Sequence, residues 1–585
     1  MPEYLAPGVY VEETSFRAKS IEGVRTSTAA FVGPARKGPF RADVDAHETP
    51  ELLTSYRDFE RIYGNYADLA LGAGTAATNY LAHAVLAFFN EGGSRLYVSR
   101  AVGAGAAAAM AQVSADSVPA AEEIVFVCRT PGILGNGRVT VCEIVSPASA
   151  TTMARAPAGT LLLTNAVGGV TQHVKVGRAW RSASHLADPA EDVAALAAAA
   201  PRIVTLSVVT IDADGSVAAC EGLGYDSTHP NWIGHAMSET PSRRSDYLQN
   251  AFAMRIDGNV TALALHQVLF TGAAANAQGQ LERSYALTGG RDGAAPTAVN
   301  YALALGEIER LEDVSIVAAP GAQAYAEAQA INRLLISHAE AHRAYRIAVL
   351  DTPPQQTPGQ VRTLRGLMDS SHAAIYYPWV VVANPSARAG RNAIPPEIVL
   401  PPSGFVCGIY ARTDVQRGVS KAPANEVVRG ALRFEIDVNS RQQAMLDPLG
   451  VNCLRLLPGR GCRVWGARLA SSDPEWKYVN LRRYFNYIEA SIDRGTQWAV
   501  FEPNDERLWA NVRQTIADFL TNEWRNGALL GSTPEQAFFV RCDRSTMTQN
   551  DIDNGRLICL IGVAFIKPAE FIIFRIGQKT ADAHD

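Results

Sequence analysis

The chain has 585 residues, too many for one core, since single cores stop growing near roughly 250–300 residues, so several domains are expected. Hydrophobic residues make up 47% and charged residues 19%, ordinary proportions for a soluble globular protein. A net charge of −5 gives no electrostatic footprint for nucleic acid, which is excluded as an expected partner.

Eight cysteines, at 128, 142, 220, 407, 453, 462, 542 and 559, form no CxxC pair. Several sit in apolar runs, where cysteine behaves as a small hydrophobe, so a reduced, cytosolically folded protein is expected rather than a disulfide framework. The first residues, Met1 to Gly8, carry neither the basic nor the apolar region of a signal peptide. Leu557 to Ile576 is apolar, but Lys567, Pro568, Glu570 and Arg575 interrupt it, so no membrane insertion is expected.

In chain order, Tyr4 to Thr14 reads as a short extended arm. Thr28–Gly33 is an apolar strand ending in turn chemistry, and Thr54–Gly64 is a short capped helix stopped by glycine. Tyr80–Gly93 has helical apolar spacing and leads directly to a strand at Arg95–Ala101. From 101 to about 290, alanine runs alternate with β-rich pieces such as Glu123–Cys128 and Arg138–Val145, which suggests an inserted, mostly β domain. From 301 to 383 the order is strand Asp313–Pro320, helix Tyr325–His342, strand Tyr345–Asp351, helix near Gly359–Asp369 and strand Ala373–Val382. Apolar strands separated by helices imply a parallel sheet buried on both faces.

The last hundred residues, from Tyr478, read as helix, strand, long helix, strand, turn, buried strand and a final overhanging strand. Leu481, Tyr484, Phe485, Ile488 and Ile492 share one helical face. Trp509, Val512, Ile516, Phe519 and Leu520 stripe a long helix from about Asp505 to Asn526. Ala537–Cys542 and Arg556–Phe565 are the strands they cover, and Glu570–Gln578 is an apolar terminal strand in need of a partner edge.

The chemistry-bearing motifs are weak. Gly289–Gly293 lacks the spacing of a phosphate loop and reads as a tight turn at a domain junction. His338 and His342 lie four apart on a helix, but the HExxH order is absent and no third ligand can be placed, so no metal is expected. Asp551–Gly555 has its glycine one position early for a calcium loop and reads as a turn. Asp351, His372 and Ser403 could be assembled into a triad only without a nucleophile elbow around the serine. Neither a catalytic residue nor a cofactor is expected.

The C-terminal half carries more specific patterns. Leu400-Pro-Pro-Ser-Gly-Phe-Val-Cys-Gly-Ile-Tyr-Ala-Arg-Thr-Asp414, with Arg417-Gly-Val and Lys421-Ala-Pro-Ala-Asn425, resembles the signature of contractile tail sheath proteins. Arg482–Glu489, Phe501-Glu-Pro-Asn504, Leu508-Trp509, Phe519-Leu520, Gly527-Ala-Leu, Thr533–Phe538, Asp553-Asn-Gly555 and Lys567–Phe571 continue the series. At the front, Pro7–Glu12, Phe31–Gly33 and Phe88–Gly93 also match. The resemblance runs from end to end and is weakest between 101 and 290.

The resemblance implies a multidomain α/β fold with a subtilisin-like parallel α/β core lacking the protease site, an α+β C-terminal domain, an inserted mostly-β outer domain and extended terminal arms. Its divisions fall at 1–25 for the N-terminal arm, 26–100 for the first part of the core, 101–295 for the insertion, 296–452 for the subtilisin-like part, 453–569 for the C-terminal domain and 570–585 for the C-terminal arm. It further implies a structural subunit of hexameric rings stacked around an inner tube, contracting from a metastable extended state, with baseplate and terminator proteins as further partners. Such a subunit folds in the cytoplasm and ends in a phage tail or a released phage-tail-like injection particle. Val9, Tyr10 and Val11 at one end, and Phe571, Ile572, Ile573, Phe574 and Ile576 at the other, are the expected strand-exchange residues. Arg507 and Arg513 are the candidate inner-tube contacts. The rival expectation is a hydrolase of subtilisin-like or α/β type with an unrecognised site.

Overall fold

The computed structural model describes residues 20–72, 75–113, 123–166, 169–258, 260–387 and 394–573. Val9, Tyr10, Val11, Phe574 and Ile576 lie outside the described residues.

A nine-stranded sheet organises the described residues, in the order Leu52–Leu53, Leu96–Arg100, Ala29–Gly33, Ile316–Ala318, Ile347–Asp351, Ala373–Tyr377, Val451–Leu457, Gly461–Val464 and Glu426–Val427. The pairings from Leu96–Arg100 through Val451–Leu457 are parallel, and both outer edges are antiparallel. Its central strands are largely continuous apolar runs because both faces are covered. On Ala29–Gly33, Ala29 and Phe31 face one core with the helices Tyr80–Glu91 and Ser403–Arg417. Ala30 and Val32 face the other, with Ala298–Glu309 and Ala328–Glu340. The helices start where their caps dictate: Ser55 accepts from Asp58 N, Asn79 accepts from Ala82 N, and Thr357 and Gln360 close a capping box.

The run Ala373–Val382, expected as one strand, is broken at Pro378. Ala373–Tyr377 stays in the main sheet, whereas Val380–Ala383 joins an antiparallel three-stranded sheet with Glu397–Leu400 and Ala431–Phe434. Proline has no N–H to give a central ladder, so the chain leaves the sheet there.

The signature stretch forms the helix Ser403–Arg417, buried from Ser403 to Thr413. It lies so close to Tyr80–Glu91 that a Cβ on Gly404 would sit 2.7 Å from Ala84 Cα, and one on Gly408 2.6 Å from Glu91 Cβ. Only glycine permits that approach.

Between Met110 and Ala286 the chain builds two antiparallel sheets. One runs Ala179–Ser182, Gly169–Val176, Leu161–Ala166, Arg202–Ile211, Arg138–Pro147, Leu281–Ala286 and Ala274–Ala275, with Val217–Leu223 also on Arg202–Ile211. The other is Phe252–Ile256, Ile124–Cys128 and Met110–Gln112. The Gly289–Gly293 turn sews this region to the core: Asp292 accepts from Ala70 N at 2.9 Å and Ile133 N at 2.8 Å, and Gly72 N donates to Gly293 O at 2.8 Å. The buried Arg100 donates to the carbonyls of Ala35, Gly38 and Pro131.

The C-terminal part pairs the helix Val479–Gly495 with the long helix Glu506–Arg525, capped by Asp505. Only the turn Gln497–Ala499 lies between them, where a strand was expected; the short connection holds no ladder partner. The long helix covers one face of a two-stranded antiparallel sheet, Phe538–Arg541 with Leu560–Val563. The expected buried strand Arg556–Phe565 is thus shorter and only half-buried, because its other face and its outer edge are uncovered among the described residues.

Candidate subunit interface

The structure brings Asp351 and Ser403 together and leaves His372 out. Ser403 N donates to Asp351 Oδ1 at 2.8 Å and Ser403 Oγ to Oδ2 at 2.6 Å. Ala348 pairs with Ala373 and Asp351 with Tyr376, so His372 lies at the opposite end of the strands, roughly 13 Å of strand away. Burial pushes the Asp351 carboxyl up to about 7, against its hydrogen bonds from Ser403 and Gly321. Asp351 serves the N-terminus of the Ser403–Arg417 helix, where backbone N–H groups lack partners. Burial and the nearby Arg482 lower His372 to about 4.

The other motifs are equally structural. Burial and Arg346 lower His338 to about 3, and its ring meets Arg346 Nη1 at 2.5 Å. His342 falls beyond the helix, which ends at Glu340. Asp551 closes a capping box with Thr548. Among the described residues no three His, Cys, Asp or Glu side chains converge as for a metal.

What the fold does concentrate is buried arginine. Arg412 Nη1 meets Glu91 Oε2 at 2.5 Å, fastening the two close-packed helices. Arg483 grips Asp414 with Nη1–Oδ1 at 2.8 Å and Nη2–Oδ2 at 2.6 Å; the two side chains are 3% and 4% exposed. Thr26 Oγ1 donates to the same Asp414 at 2.6 Å, and Arg483 donates to Thr26 O at 3.0 Å. Val24 N donates to Ser491 Oγ at 3.1 Å, and Ile21 packs into the C-terminal core. The N-terminal segment is therefore rooted on the helix Val479–Gly495.

The C-terminal segment is rooted by charge. Glu570 accepts from Arg468 Nε and Nη2, both at 2.6 Å, and from Tyr478 Oη at 3.0 Å, with Lys477 Nζ at 3.5 Å. Asp447 also engages Arg468, its Oδ2 lying 2.7 Å from Nη2 and its carbonyl accepting from Nη1 at 2.9 Å. Burial alone would raise the Glu570 pKa; Arg468, Tyr478 and Lys477 together hold it below its ordinary value. Directly beyond this clamp Phe571, Ile572 and Ile573 are 73%, 73% and 80% exposed. Sequence reasoning missed the clamp, although Glu570 stands in a quoted motif, because its partner lies a hundred residues upstream.

Arg507 and Arg513 are both exposed on the long helix. Six positions place them about 120° apart around the axis, both within the exposed arc opposite the buried stripe. The Cys542 pKa is lowered first by the Cys559 thiol and that of Asp543 first by hydrogen bonds from Ser545, with Arg513 adding to both.

These features can be set beside known proteins. Residues 294–468 match the model of the phage tail sheath protein central domain, and residues 471–579 that of the phage tail sheath C-terminal domain. Over these two regions the chain is similar to contractile tail sheath proteins. A prophage major tail sheath protein of Pseudomonas aeruginosa strain UCBPP-PA14 is 26% identical over 270 residues, 45% of this chain; the chain spans 64% of that relative's length. The sheath of an extracellular contractile injection system, the PVC sheath complex in its contracted state, matches with a TM-score of 0.52 at 20% identity, covering 99% of each chain. The contracted helical sheath of the anti-feeding prophage matches with a TM-score of 0.52 at 20% identity, covering 99% of this chain and 100% of that one. The two matched regions are tied together by charge: Asp414 and Arg468 come from the central region, Arg483 and Glu570 from the C-terminal one.

Proposed function

We propose that this chain is a structural subunit of a contractile sheath that polymerises around an inner tube and shortens to drive that tube through a target envelope. The observation that carries the proposal is the C-terminal segment: Glu570 is clamped, the apolar residues after it are exposed, and a two-stranded sheet with uncovered edges lies in the same unit. A two-stranded sheet is marginal alone, and its free edges suit strands contributed by neighbouring copies. Val9, Tyr10 and Val11, with Phe571, Ile572, Ile573, Phe574 and Ile576, are the proposed donors. A head-to-tail contact of this kind does not close on itself and gives a helical array.

In this reading the parallel sheet is a subtilisin-like core without a protease site, residues 101–295 form an outer domain, and 453–569 the inward domain. Rings of six stack on a baseplate, meet a terminator at the far end and face the tube through Arg507 and Arg513. The finished particle is a phage tail or an extracellular injection machine. The folded body moves as a rigid unit on rooted arms, and burial between subunits supplies the energy without nucleotide. The hydrolase alternative has no support, since His372 cannot reach Ser403.

Negative-stain electron microscopy of the purified chain beside variants lacking residues 1–14 or 571–585 tests the reading. Tubes or stacked rings from the full chain, lost in both truncations, are expected. Uniform small particles from the full chain, unchanged by added inner tube and baseplate, would overturn it.

A further inference from the structure

The two-stranded sheet ends on a pair of thiols. Arg541 pairs with Leu560, so Cys542 and Cys559 face each other one step further along the same register. Ala564 N donates to Ala537 O at 2.8 Å, and hydrogen-bonded pairs alternate from there, which puts the cysteines at a non-hydrogen-bonded position. Cα atoms at such positions are about 4.5 Å apart, inside the roughly 4.4–6.8 Å that a disulfide accepts. Both side chains lie on the face turned to the long helix, with Phe538, Val540, Ile561 and Val563; Cys542 is buried and Cys559 half-buried. Both thiols are free. Arg513 stands close enough to favour a thiolate at Cys542, whose pKa is lowered by the Cys559 thiol first and this guanidinium as well.

We propose that Cys542 and Cys559 are an oxidation site, at which a cross-strand disulfide staples the end of the strand pair. With hydrogen peroxide as oxidant, one thiolate attacks a peroxide oxygen, breaking the O–O bond and giving a sulfenic acid and hydroxide. The second sulfur then attacks the sulfenic sulfur; the S–O bond breaks, the S–S bond forms and water leaves. Two thiols and one peroxide become one disulfide and two waters. The staple closes the segment 543–558 into a ring and keeps the strands from parting at this end. Its further effect, fixing the sheet that receives neighbouring arms, rests on the sheath reading.

The full-length unassembled chain is treated with hydrogen peroxide, alkylated and mapped by mass spectrometry without reduction. A Cys542–Cys559 linked peptide is expected, with titratable thiols falling from eight to six per chain while the buried Cys407 stays free. Cys542→Ser and Cys559→Ser each abolish the linked peptide, and the mapping of the unmodified chain stands even if a variant fails to fold. Two alkylated thiols at these positions, separate overoxidation of each sulfur, or only intermolecular links would overturn the proposal. Because the map is made on free subunits, absent tubes with a linked peptide would count against the sheath reading alone.

Discussion

Replacing Glu570 with glutamine keeps the side chain's size and removes the charge that roots the C-terminal segment. The wild-type carboxylate takes two 2.6 Å bonds from Arg468 and one of 3.0 Å from Tyr478, at a site where the Arg468 and Glu570 side chains are 7% and 21% exposed. A hydrogen bond to a charged partner contributes about 1.5–3 kcal/mol when shielded. Partial solvent access, and the Asp447 partner left to Arg468, bring the expected loss to about 2 kcal/mol. That is about a 30-fold increase in the local opening constant. Amide hydrogen exchange over residues 566–573 at neutral pH reads it directly, with the exposed Glu535→Gln as control.

The pH dependence adds an independent check. The folded Glu570 pKa lies below its ordinary 4.5, so the clamp's contribution is present above that value and is lost as pH falls through the lower folded value. Wild type and Glu570→Gln should therefore converge in strong acid. A change under about threefold at neutral pH would refute the clamp.

Asp414→Ala leaves Arg483 buried without its carboxylate and should cost about 3–5 kcal/mol in denaturant unfolding; a loss below about 1 kcal/mol contradicts the network. Gly408→Ala drives a Cβ to 2.6 Å from Glu91 Cβ and 2.7 Å from Phe88 O, so a stability loss of about 1–3 kcal/mol is expected in thermal melts. The folded Asp351 pKa is raised to about 7, so its contribution is full below its ordinary 3.8 and fades as pH rises through 7. Asp351→Asn should flatten the stability profile between those limits, and an unchanged slope would deny the carboxyl its role. Reversing both Arg507 and Arg513 to Glu should leave self-assembly intact and weaken co-sedimentation with the inner tube, whereas unaltered co-sedimentation removes them from that contact.

The parallel sheet was legible because strands buried on both faces read as continuous apolar runs, as in Ile347–Asp351. The same continuity hid the break at Pro378, since an apolar run carries no period to mark where one sheet ends. The helix Ser403–Arg417 gave no amphipathic signal because it is buried on every side through Thr413. Its importance showed only in the family signature, which includes Arg412 and Asp414 without saying what they touch. Their partners Glu91 and Arg483 lie 321 and 69 positions away, beyond any local pattern. Asp351 and Ser403 were paired on residue type, and the strand polarity that parts them from His372 appears only once the register is known.

The two ends of the C-terminal segment differ in kind, and the difference bears on movement. Glu570 is held by charge, whereas Phe571, Ile572 and Ile573 have no cover among the described residues. Burying three such side chains, each about three-quarters exposed, would contribute roughly 3–7 kcal/mol on a neighbouring copy. That exceeds the roughly 2 kcal/mol assigned to the clamp. On the proposed reading, a subunit that rotates would open at its own clamp before its arm leaves the neighbour, so the lattice stays connected while the bodies turn. Glu570→Gln should then leave assembled tubes linked, whereas Ile572→Asp, which wets the apolar end, should let them fall apart into rings or free chains under electron microscopy. Tubes dissolved by Glu570→Gln and intact with Ile572→Asp would reverse that order of strengths.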